Sequence, residues 1–568
     1  MRKARPPTPP RRLSNAKASK PSPSADSGMR IHWSLRLLIA AANGYLWSLG
    51  FNPHSLAGAA WAVMALLLFL TMRVNGWLAA GGGFLFGVAF HTASLPWIYS
   101  VMRVHGHLGP APAAGVMALM VLYLALFPAA FCWSVARVST RSLNGALCAA
   151  PFLWVALEYA QTHVPILGFP WNLAGYVPAK HPGLLQLATV TGIYGLSFAV
   201  VASGSLFAWV VLASRKPVGL ILRFALACVL ALAVLVPTHL GVLSATLPKP
   251  EHVAFLVQSN FPQAPEYPAN WMDLHAAEMD ELERISIDAG SLIAEGGAER
   301  SVPRSMARVR LQGAPAESQG VAASDAHLII WPEVPAPFYF LDPKFAARAE
   351  RVARESYAYF LVGVVEWRPG PNDGLLPYNS AVLLDPSGKR AFQYDKIHLV
   401  PFGEYVPLRR VLKFAESLVA EIGDYRAGTA RAVGQLPGGR FGVLICYEAI
   451  FPDEVRRFVA NGAELLVNIS NDGWYGRSAA PEQHLAMARV RAVENRRWLL
   501  RGTNNGYTVV IDPYGREVAR LAPDIRGVLR APFSFRSERT IYSRWGDWLA
   551  WLCVVGSVGF LLWPGRRK

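Results

Sequence analysis

The feature that most constrains this chain is a series of long apolar runs in its first 247 residues. Seven runs precede a soluble-looking stretch, and an eighth follows it near the carboxyl terminus. They span roughly residues 35–50, 55–72, 77–99, 111–135, 145–164, 184–213, 220–243 and 547–564. Most approach the ~20 residues that a helix needs to cross the hydrocarbon core of a bilayer. We therefore predict a polytopic α-helical membrane bundle of eight transmembrane helices, with a short first helix and an overlong sixth one.

These runs divide the chain into four parts. Residues 1–30 form a basic, proline-rich tail that cannot bury enough apolar surface to fold. Residues 31–247 hold seven predicted membrane helices, 248–545 form a soluble domain, and 546–568 hold the eighth helix and a basic end. Within the soluble domain, residues 296–323 are rich in Gly, Ala, Ser and Arg without periodicity, which indicates a flexible insertion.

The net charge of +17 is unevenly distributed along the chain. Residues 248–547 carry 35 Lys and Arg against 36 Asp and Glu, whereas the rest carries 20 basic residues and two acids, Asp26 and Glu158. A nucleic-acid groove needs its positive charge on a folded surface. Here the excess lies among the apolar runs, where it is a signal of membrane topology. We therefore expect the lipid bilayer, and no nucleic acid, as a partner.

The basic residues of the short loops predict the orientation in the membrane, because cytoplasmic loops are enriched in Lys and Arg. With a cytoplasmic amino terminus, the inside loops carry Arg73, Arg137, Arg141, Arg215 and Lys216. The outside loops then carry only Arg103 and Lys180 among the short connections. This bias places the soluble domain outside the cytoplasm and both termini inside.

The soluble domain alternates short β-like runs with helical stretches. The runs typical of strands are VAFLVQ, HLIIWPE, YFLVGVVEW, NSAVLLD, FGVLICYE, ELLVNIS and TVVIDPYG. Residues 270–294 and 481–499 have apolar positions at a spacing near 3.6, which predicts helices. Such alternation predicts an α/β sandwich.

The cysteines limit which disulfides and metal sites the chain can form. Cys132, Cys148, Cys228 and Cys553 lie in apolar runs, where a small soft side chain usually just packs, and only Cys446 lies in the soluble domain. One thiol cannot form a disulfide within that domain. No Cys/His cluster has the spacing of a zinc site, and no glycine-rich phosphate loop is present. We therefore predict no metal site.

Three polar residues stand just after buried-looking strands. Glu333 ends HLIIWPE, Lys396 lies in YDKIHLVPFGEYVP, and Cys446 is near the end of FGVLICYE. Singly, each has an ordinary explanation, as a solvated turn carboxylate, a surface charge or a packed thiol. Together they resemble the nitrilase superfamily, in which Glu, Lys and Cys occur in this order. The grouping makes chemical sense, because a thiol needs a base or a neighbouring cation to become a thiolate near neutral pH.

The resemblance is closest to the apolipoprotein N-acyltransferase family, and it covers nearly the whole chain from about residue 35. In the soluble part the matching segments are VQSNFPQ, IIWPE, YDKIHLVPFGEYVPL, ICYEAIFPDEVR, NISNDGWYG, EQHLAMARVRAVENRRWLLRGTNNG and IDPYG. In the membrane part they are LGFNP and GFPWNLAGY. The departures are the tail and the 296–323 insertion, and neither touches a motif. The resemblance implies a nitrilase-type α-β-β-α sandwich for the soluble domain.

The same resemblance implies a catalytic triad of Glu333, Lys396 and Cys446. Glu333 would take the thiol proton, and Lys396 would favour the thiolate and then stabilise the oxyanion of the tetrahedral intermediate. Tyr447 and Glu448 match residues that the family requires beside the nucleophile.

Further residues are expected near the site. Glu404, eight residues after the lysine, would orient it or assist proton transfer, or would simply brace the loop. An aromatic residue is expected to close over the site, and either Tyr267 or Trp271 could fill that role. The loop near the site is expected to be shaped by Asn471, Asp472 and Trp474.

Three other titratable residues each have both a functional and an ordinary structural interpretation. His398 and His484 could be bases, but no nucleophile motif lies beside either, so we expect structural or lining roles. Glu158 lies in the outer part of the fifth apolar run. An intramembrane carboxylate is a functional candidate by default, yet it could equally hydrogen-bond neighbouring helices.

The resemblance implies a two-step acyl transfer in a bacterial inner membrane. The donor would be a phospholipid such as phosphatidylethanolamine, acylating Cys446 through its sn-1 ester, and the acceptor a diacylglyceryl-cysteine at a lipoprotein amino terminus. No cofactor is expected, because the ester already carries an activated acyl group. The alternatives are a membrane-tethered nitrilase-type amidase, disfavoured by GFPWN and LGFNP, and a non-catalytic scaffold, disfavoured by the intact triad.

Overall fold

The computed structural model describes residues 32–51, 53–212, 217–243, 250–263, 267–268, 270–294, 327–370, 374–401, 403–405 and 425–564. The predicted tail of residues 1–30 and the predicted 296–323 insertion lie outside the described residues.

Each apolar run of the amino-terminal part contains a helix. The helices are α1 (Trp33–Ser48), α2 (Ala57–Thr71), α3 (Gly76–Ser94), α4 (Trp97–Val104), α5 (Pro110–Ser139), α6 (Leu143–His163), α7 (Pro182–Leu185), α8 (Ala188–Leu212) and α9 (Pro217–Leu243). Three described segments are long and apolar enough to cross a bilayer: α5, α6 and Ala188–Val211. A fourth is present if α3 and α4, bent by 55°, count as one span. These helices fit a membrane protein, and the count of eight spans stays a prediction.

Two of the predicted helices are interrupted, each for a local reason. The third run bends at Leu95 and Pro96, because a residue before proline avoids the helical region and proline lacks an N–H. The overlong sixth run, predicted as one helix, is broken at Gly192, whose φ of 65° lies in the left-handed region that glycine adopts readily.

The soluble part contains twelve strands among its described residues. They are β1 (His252–Gln258), β2 (His327–Ile330), β3 (Tyr359–Pro369), β4 (Leu375–Leu384), β5 (Arg390–Asp395), β6 (Val433–Leu436), β7 (Gly439–Ile445), β8 (Leu465–Ser470), β9 (Leu499–Thr503), β10 (Val509–Ile511), β11 (Glu517–Arg520) and β12 (Gly527–Phe533). The later helices are α10 (Trp271–Leu274), α11 (Ala276–Ala294), α12 (Pro343–Glu355), α13 (Pro452–Ala460), α14 (Ala480–Asn495), α15 (Ile541–Trp545) and α16 (Trp548–Leu562).

The strands form two mixed six-stranded sheets, ordered β12-β1-β2-β3-β4-β5 and β11-β10-β9-β8-β7-β6. Alternation along β1 shows how the layers stack. Ala254 and Leu256 belong to the core between the sheets, whereas Val253, Phe255 and Val257 belong to the core beneath α11 and α12. Helices α13 and α14 cover the other sheet. The predicted α/β sandwich is therefore confirmed, with a helix–sheet–sheet–helix order of layers.

The predicted helix over residues 481–499 is wrong at its carboxyl end. Helix α14 stops at Asn495, and Arg496 takes a left-handed conformation with φ 52°. Its N–H closes the helix on the last-turn carbonyls, as helix C-caps commonly do. Of the apolar residues that continued the helical pattern, Trp498 lies between the helix and the next strand, and Leu499 begins β9.

Helix α14 also joins the soluble domain to the membrane part. The Nε1 of Trp171, in the GFPWNLAGY motif, donates to the Gln483 side chain at 2.7 Å. The break at Gly192 leaves the N–H of Ile193 without a helical partner, and the carboxylate of Glu494 accepts it at 2.8 Å. The two parts therefore share one apolar core, which holds residues of α14 together with residues of the membrane helices.

Candidate active site

The three predicted catalytic residues each come after a strand of one of the two sheets. Glu333 comes three residues after β2, Lys396 directly follows β5, and Cys446 directly follows β7. All three are buried, with exposed fractions of 5%, 1% and 5%. Buried polar groups must find partners or lose free energy, so their contacts define the site.

The ammonium of Lys396 is held between two carboxylates. Its Nζ donates to Oε1 of Glu333 at 3.0 Å and to Oε1 of Glu404 at 2.8 Å. The side-chain amide of Asn379 donates to the same two oxygens, at 2.8 Å each. Burial alone would lower the pKa of Lys396, but the two carboxylates hold that pKa well above its usual value. The lysine therefore stays charged, and Glu404 lies where it can orient it.

The second oxygen of Glu333 faces the loop after β8. It accepts the backbone N–H of Asn471 at 3.0 Å, and the side chain of Asn471 donates to Gln263 at 2.8 Å. Trp474, three residues on, packs its ring 4.6 Å from that of His105 in the membrane part. This loop thus connects the candidate base to the end of α4.

Cys446 has an unusual backbone conformation for a residue with a side chain. Its φ is 51°, a left-handed value that costs on the order of 1–3 kcal/mol in a non-glycine residue. Burial, and then the charge of Glu333, raise the pKa of the thiol, while Lys396 opposes them. The resting group at neutral pH is therefore the thiol, which needs a base to become nucleophilic.

Glu448 ties the nucleophile to the loop that carries the lysine. One carboxylate oxygen accepts the N–H of Ile445 at 2.8 Å, at the end of β7. The other accepts the N–H of Ile397 at 2.7 Å and the hydroxyl of Tyr394 at 2.6 Å. Burial raises the pKa of Glu448, although these hydrogen bonds offset part of the effect. We interpret Glu448 as a positioning residue rather than a proton donor.

Tyr447 points the other way, toward the membrane part. Its ring packs edge-on against Phe451 with centroids 5.1 Å apart. Both residues belong to, or pack on, the apolar core that contains the membrane helices. The residue beside the nucleophile is therefore part of the boundary between the two halves of the protein.

The two aromatic candidates lie in different surroundings. Trp271 is buried in the core beneath the helices and stacks on His275 with centroids 4.4 Å apart. Tyr267 is half-buried, and its hydroxyl donates to the carbonyl of Pro335 at 3.4 Å, two residues beyond Glu333. Of the two, Tyr267 lies against the loop of the candidate base.

The other titratable candidates make ordinary contacts. His398 stacks on Phe451 with centroids 4.4 Å apart, and its Nε2 lies 3.1 Å from Glu454. Glu158 accepts from Nε1 of Trp154 at 2.8 Å and from a loop N–H, as the hydrogen-bonding interpretation predicts. Within the described residues, no group of three or more His, Cys, Asp or Glu side chains could hold a metal ion.

Sequence reasoning missed Asn379, which bridges both carboxylates of the site. The signal was an amide residue at the start of the strand run NSAVLLD, which is apolar over AVLL. An amide in a buried strand is costly unless its hydrogen bonds are satisfied, so such a position indicates polar partners close by.

Similarity to known proteins identifies the family of this chain. Residues 43–206 match the family described as apolipoprotein N-acyltransferase N-terminal domain, and residues 269–540 match the carbon-nitrogen hydrolase family. The apolipoprotein N-acyltransferase of Geobacter metallireducens is 34% identical over 538 residues, covering 94% of this chain and 95% of that protein. The chain belongs to the apolipoprotein N-acyltransferase family. The enzyme of that name from Methylococcus capsulatus is 32% identical, with 94% and 97% covered.

A solved amidase from Nesterenkonia sp. is 18% identical, covers 52% of this chain and 94% of its own, and has a TM-score of 0.33. The segment of this chain that matches the carbon-nitrogen hydrolase family contains all three candidate catalytic residues. The resemblance seen in the motifs is thus confirmed. The roles of individual residues stay predictions.

Asn379 gives a first test of this geometry. Asn379→Asp would set a third carboxylate against Glu333 and Glu404, which one ammonium cannot balance. We expect iodoacetamide to alkylate Cys446 about 10²-fold more slowly in this variant and about tenfold more slowly in Asn379→Ser. Peptide mass spectrometry reads the rate, and wild-type protein alkylated in parallel is the reference. Wild-type alkylation in Asn379→Asp would contradict the bridging role.

Proposed function

We propose that this protein N-acylates lipoproteins. It transfers a fatty acyl chain from the sn-1 position of a membrane phospholipid to the α-amino group of an amino-terminal diacylglyceryl-cysteine, through a thioester on Cys446. Membership of the apolipoprotein N-acyltransferase family supports the activity, and the buried cluster of Glu333, Lys396 and Cys446 supports the mechanism.

The observation that carries the proposal is a cavity of about 850 Å³ between the two parts of the protein. Thr162, His163 and Ile166, at the end of α6 and just after it, form its membrane-side wall. Tyr447, next to the nucleophile, lines the opposite side. An enzyme for small soluble amides needs no wall from a membrane part. A substrate that stays anchored in a bilayer does, because its reacting ester must reach the catalytic domain while its chains remain in lipid.

The first half-reaction begins when Glu333 takes the proton of the Cys446 thiol. The thiolate attacks the ester carbonyl, and the ammonium of Lys396 stabilises the resulting oxyanion. The C–O bond then breaks, Glu333 returns the proton to the leaving oxygen, and a lysophospholipid departs. Glu404 keeps the lysine oriented throughout.

The second half-reaction repeats the sequence with an amine. The α-amino group of the diacylglyceryl-cysteine attacks the thioester, and Glu333 accepts the proton that the amine loses. The C–S bond breaks, the amide forms, and the sulfur regains its proton. No cofactor takes part in this scheme, because the acyl group arrives already activated as an ester.

The two half-reactions can be tested separately. Labelled phospholipid alone should yield one lysophospholipid per enzyme, and adding a diacylglyceryl-cysteine peptide should permit continuous turnover. An amidase would instead release ammonia from small amides and ignore the peptide. Release of free fatty acid at the same rate with and without the peptide would contradict the proposed acceptor.

The proposal also places the catalytic domain in the periplasm of a bacterial inner membrane, with both termini cytoplasmic. Basic loop residues favour this orientation. A periplasm-active reporter fused near residue 250 should be active, and one fused after Trp563 should be silent. A cytoplasm-active reporter at the same positions is the control and should give the opposite pattern. Inverted results would overturn the placement of the site.

A further inference from the structure

We propose that His484 is a positioning residue for the reaction. In its Nε2–H tautomer it donates a hydrogen bond to the backbone carbonyl of Cys446 and thereby holds the nucleophile in its left-handed conformation. The inference rests on the proposed function in one respect, since it takes Cys446 as the nucleophile.

The hydrogen bond between His484 and Cys446 is short and excluded from solvent. Nε2 of His484, on α14, lies 3.0 Å from the carbonyl oxygen of Cys446. The imidazole has no exposed surface, so water cannot replace it as a donor. The carbonyl belongs to a residue whose φ of 51° is unfavourable without support from its surroundings. Such a conformation persists where neighbouring groups fix it, and His484 is such a group.

The tautomer follows from the groups that face the two ring nitrogens. Nη2 of Arg501 lies 3.1 Å from Nδ1 of His484. A carbonyl oxygen only accepts, so Nε2 must carry the proton that faces Cys446. A guanidinium only donates, so a proton on Nδ1 would face another donor. A neutral imidazole carries one N–H, which is then on Nε2 and faces the carbonyl. Burial, and then the charge of Arg501, lower the pKa of His484, which keeps the ring neutral.

Asp472 completes the arrangement without competing for the ring proton. Nη2 of Arg501 lies 2.9 Å from both carboxylate oxygens of Asp472, and the hydroxyl of Ser470 donates to one of them at 2.9 Å. Nδ1 of His484 is farther from this carboxylate, at 3.3 Å. Arg501 therefore neutralises Asp472 and faces the lone pair on Nδ1 of His484. All three side chains are fully buried: Asp472 in the loop after β8, Arg501 on β9 and His484 on α14.

His484 is not a candidate base in this geometry. Its Nε2–H is engaged by the carbonyl, and its Nδ1 is engaged by Arg501, so neither nitrogen can accept the thiol proton. The residue acts through the backbone of Cys446. An error of about 1 Å in the position of a reacting atom can cost on the order of 10²-fold in rate, which sets the size of the expected effect.

Two variants at this position separate positioning from simple packing. In His484→Gln the terminal amide nitrogen can reach the place of Nε2 and donate to the carbonyl. In His484→Asn the shorter amide reaches only the place of Nδ1. His252→Asn is the matched control, because this buried histidine lies at the amino end of β1, at the opposite end of its sheet from Glu333.

The measurements are the iodoacetamide alkylation rate of Cys446, and kcat and KM for phospholipid, on the purified full-length protein. We expect His484→Asn to lower the alkylation rate and kcat by about 30- to 100-fold, with KM within about twofold of wild type. His484→Gln should stay within about fivefold of wild type, and His252→Asn should not change either rate. Melting temperature and gel filtration report whether each variant is folded.

Equal losses in the Gln and Asn variants, or wild-type rates in both, would overturn the inference. If only the Asn variant fails to fold, the Gln variant decides: near-wild-type rates support positioning, and a loss above 30-fold contradicts it. If neither folds, His484 serves folding and the inference is wrong. A wild-type protein that never acylates the lipoprotein peptide would instead refute the proposed function, while the alkylation rates would still test the contact.

Discussion

Cys446→Ala should never gain an acyl chain, whereas wild-type protein given phospholipid without an acceptor should gain the mass of one. The thiol is the only one in the soluble domain, and it lies 5% exposed beside the carboxylate and ammonium of the site. A thioester formed there is shielded from water and should accumulate. Intact-protein mass spectrometry detects it, hydroxylamine should remove it, and an acceptor peptide should discharge it. Transfer by the variant should fall by on the order of 10⁵–10⁶-fold, as removal of a covalent nucleophile does elsewhere.

Cys148→Ala is the matched control, because this cysteine is exposed on α6 and far in sequence from the catalytic motifs. It should acquire and discharge the acyl chain at the wild-type rate. Acyl transfer by Cys446→Ala at the wild-type rate would rule out covalent catalysis at this residue. The nitrilase-type mechanism would fall with it, although family membership would stand on its own evidence.

The elements that sequence patterns predicted well are those with long apolar runs. All seven predicted strand runs contain a strand, because a buried strand of Val, Ile and Leu leaves a clear local signal. The other five strands, β5, β6, β9, β11 and β12, were not predicted, and the short strands β5 and β11 show why. At least half of the residues in their sequences, RAFQYD and EVAR, are polar, and most are half-buried or exposed, since both strands lie at sheet edges. Their pairing depends on the neighbouring strand rather than on their own composition.

The candidate triad could be named from order and motif, but the contacts that position it could not. Asn379 meets Glu333 across 46 residues of sequence, and His484 meets Cys446 across 38. No local pattern encodes such a pair. Similarly, the break at Gly192 is stabilised by Glu494, 301 residues beyond the N–H that it accepts. A glycine in an apolar run is unremarkable until its distant partner is known.

The charges of Glu333 and Lys396 both affect the removal of the proton from the Cys446 thiol. The rate losses of their variants are therefore not independent. The positive charge of Lys396 lowers the pKa of the Cys446 thiol, against burial and the charge of Glu333, which raise it. Its removal should raise that pKa further and reduce the thiolate available at neutral pH. Removing the charge of Glu333 eases the thiol's ionisation electrostatically but deletes the base. The loss of the base should dominate, because a buried thiol cannot pass its proton to water.

Glu333→Gln and Lys396→Met should each slow the release of the first lysophospholipid by ~10²–10⁴-fold. The double variant should be no more than about tenfold slower than the slower single variant, since the residues serve the same transition state. Rapid-quench measurement of a single turnover gives these rates. Lys389→Met, which removes an exposed lysine in the turn between β4 and β5, controls for loss of positive charge and should leave the rate unchanged. Strictly multiplicative losses would mean that Glu333 and Lys396 act in separate steps, and the shared proton-transfer scheme would have to be abandoned.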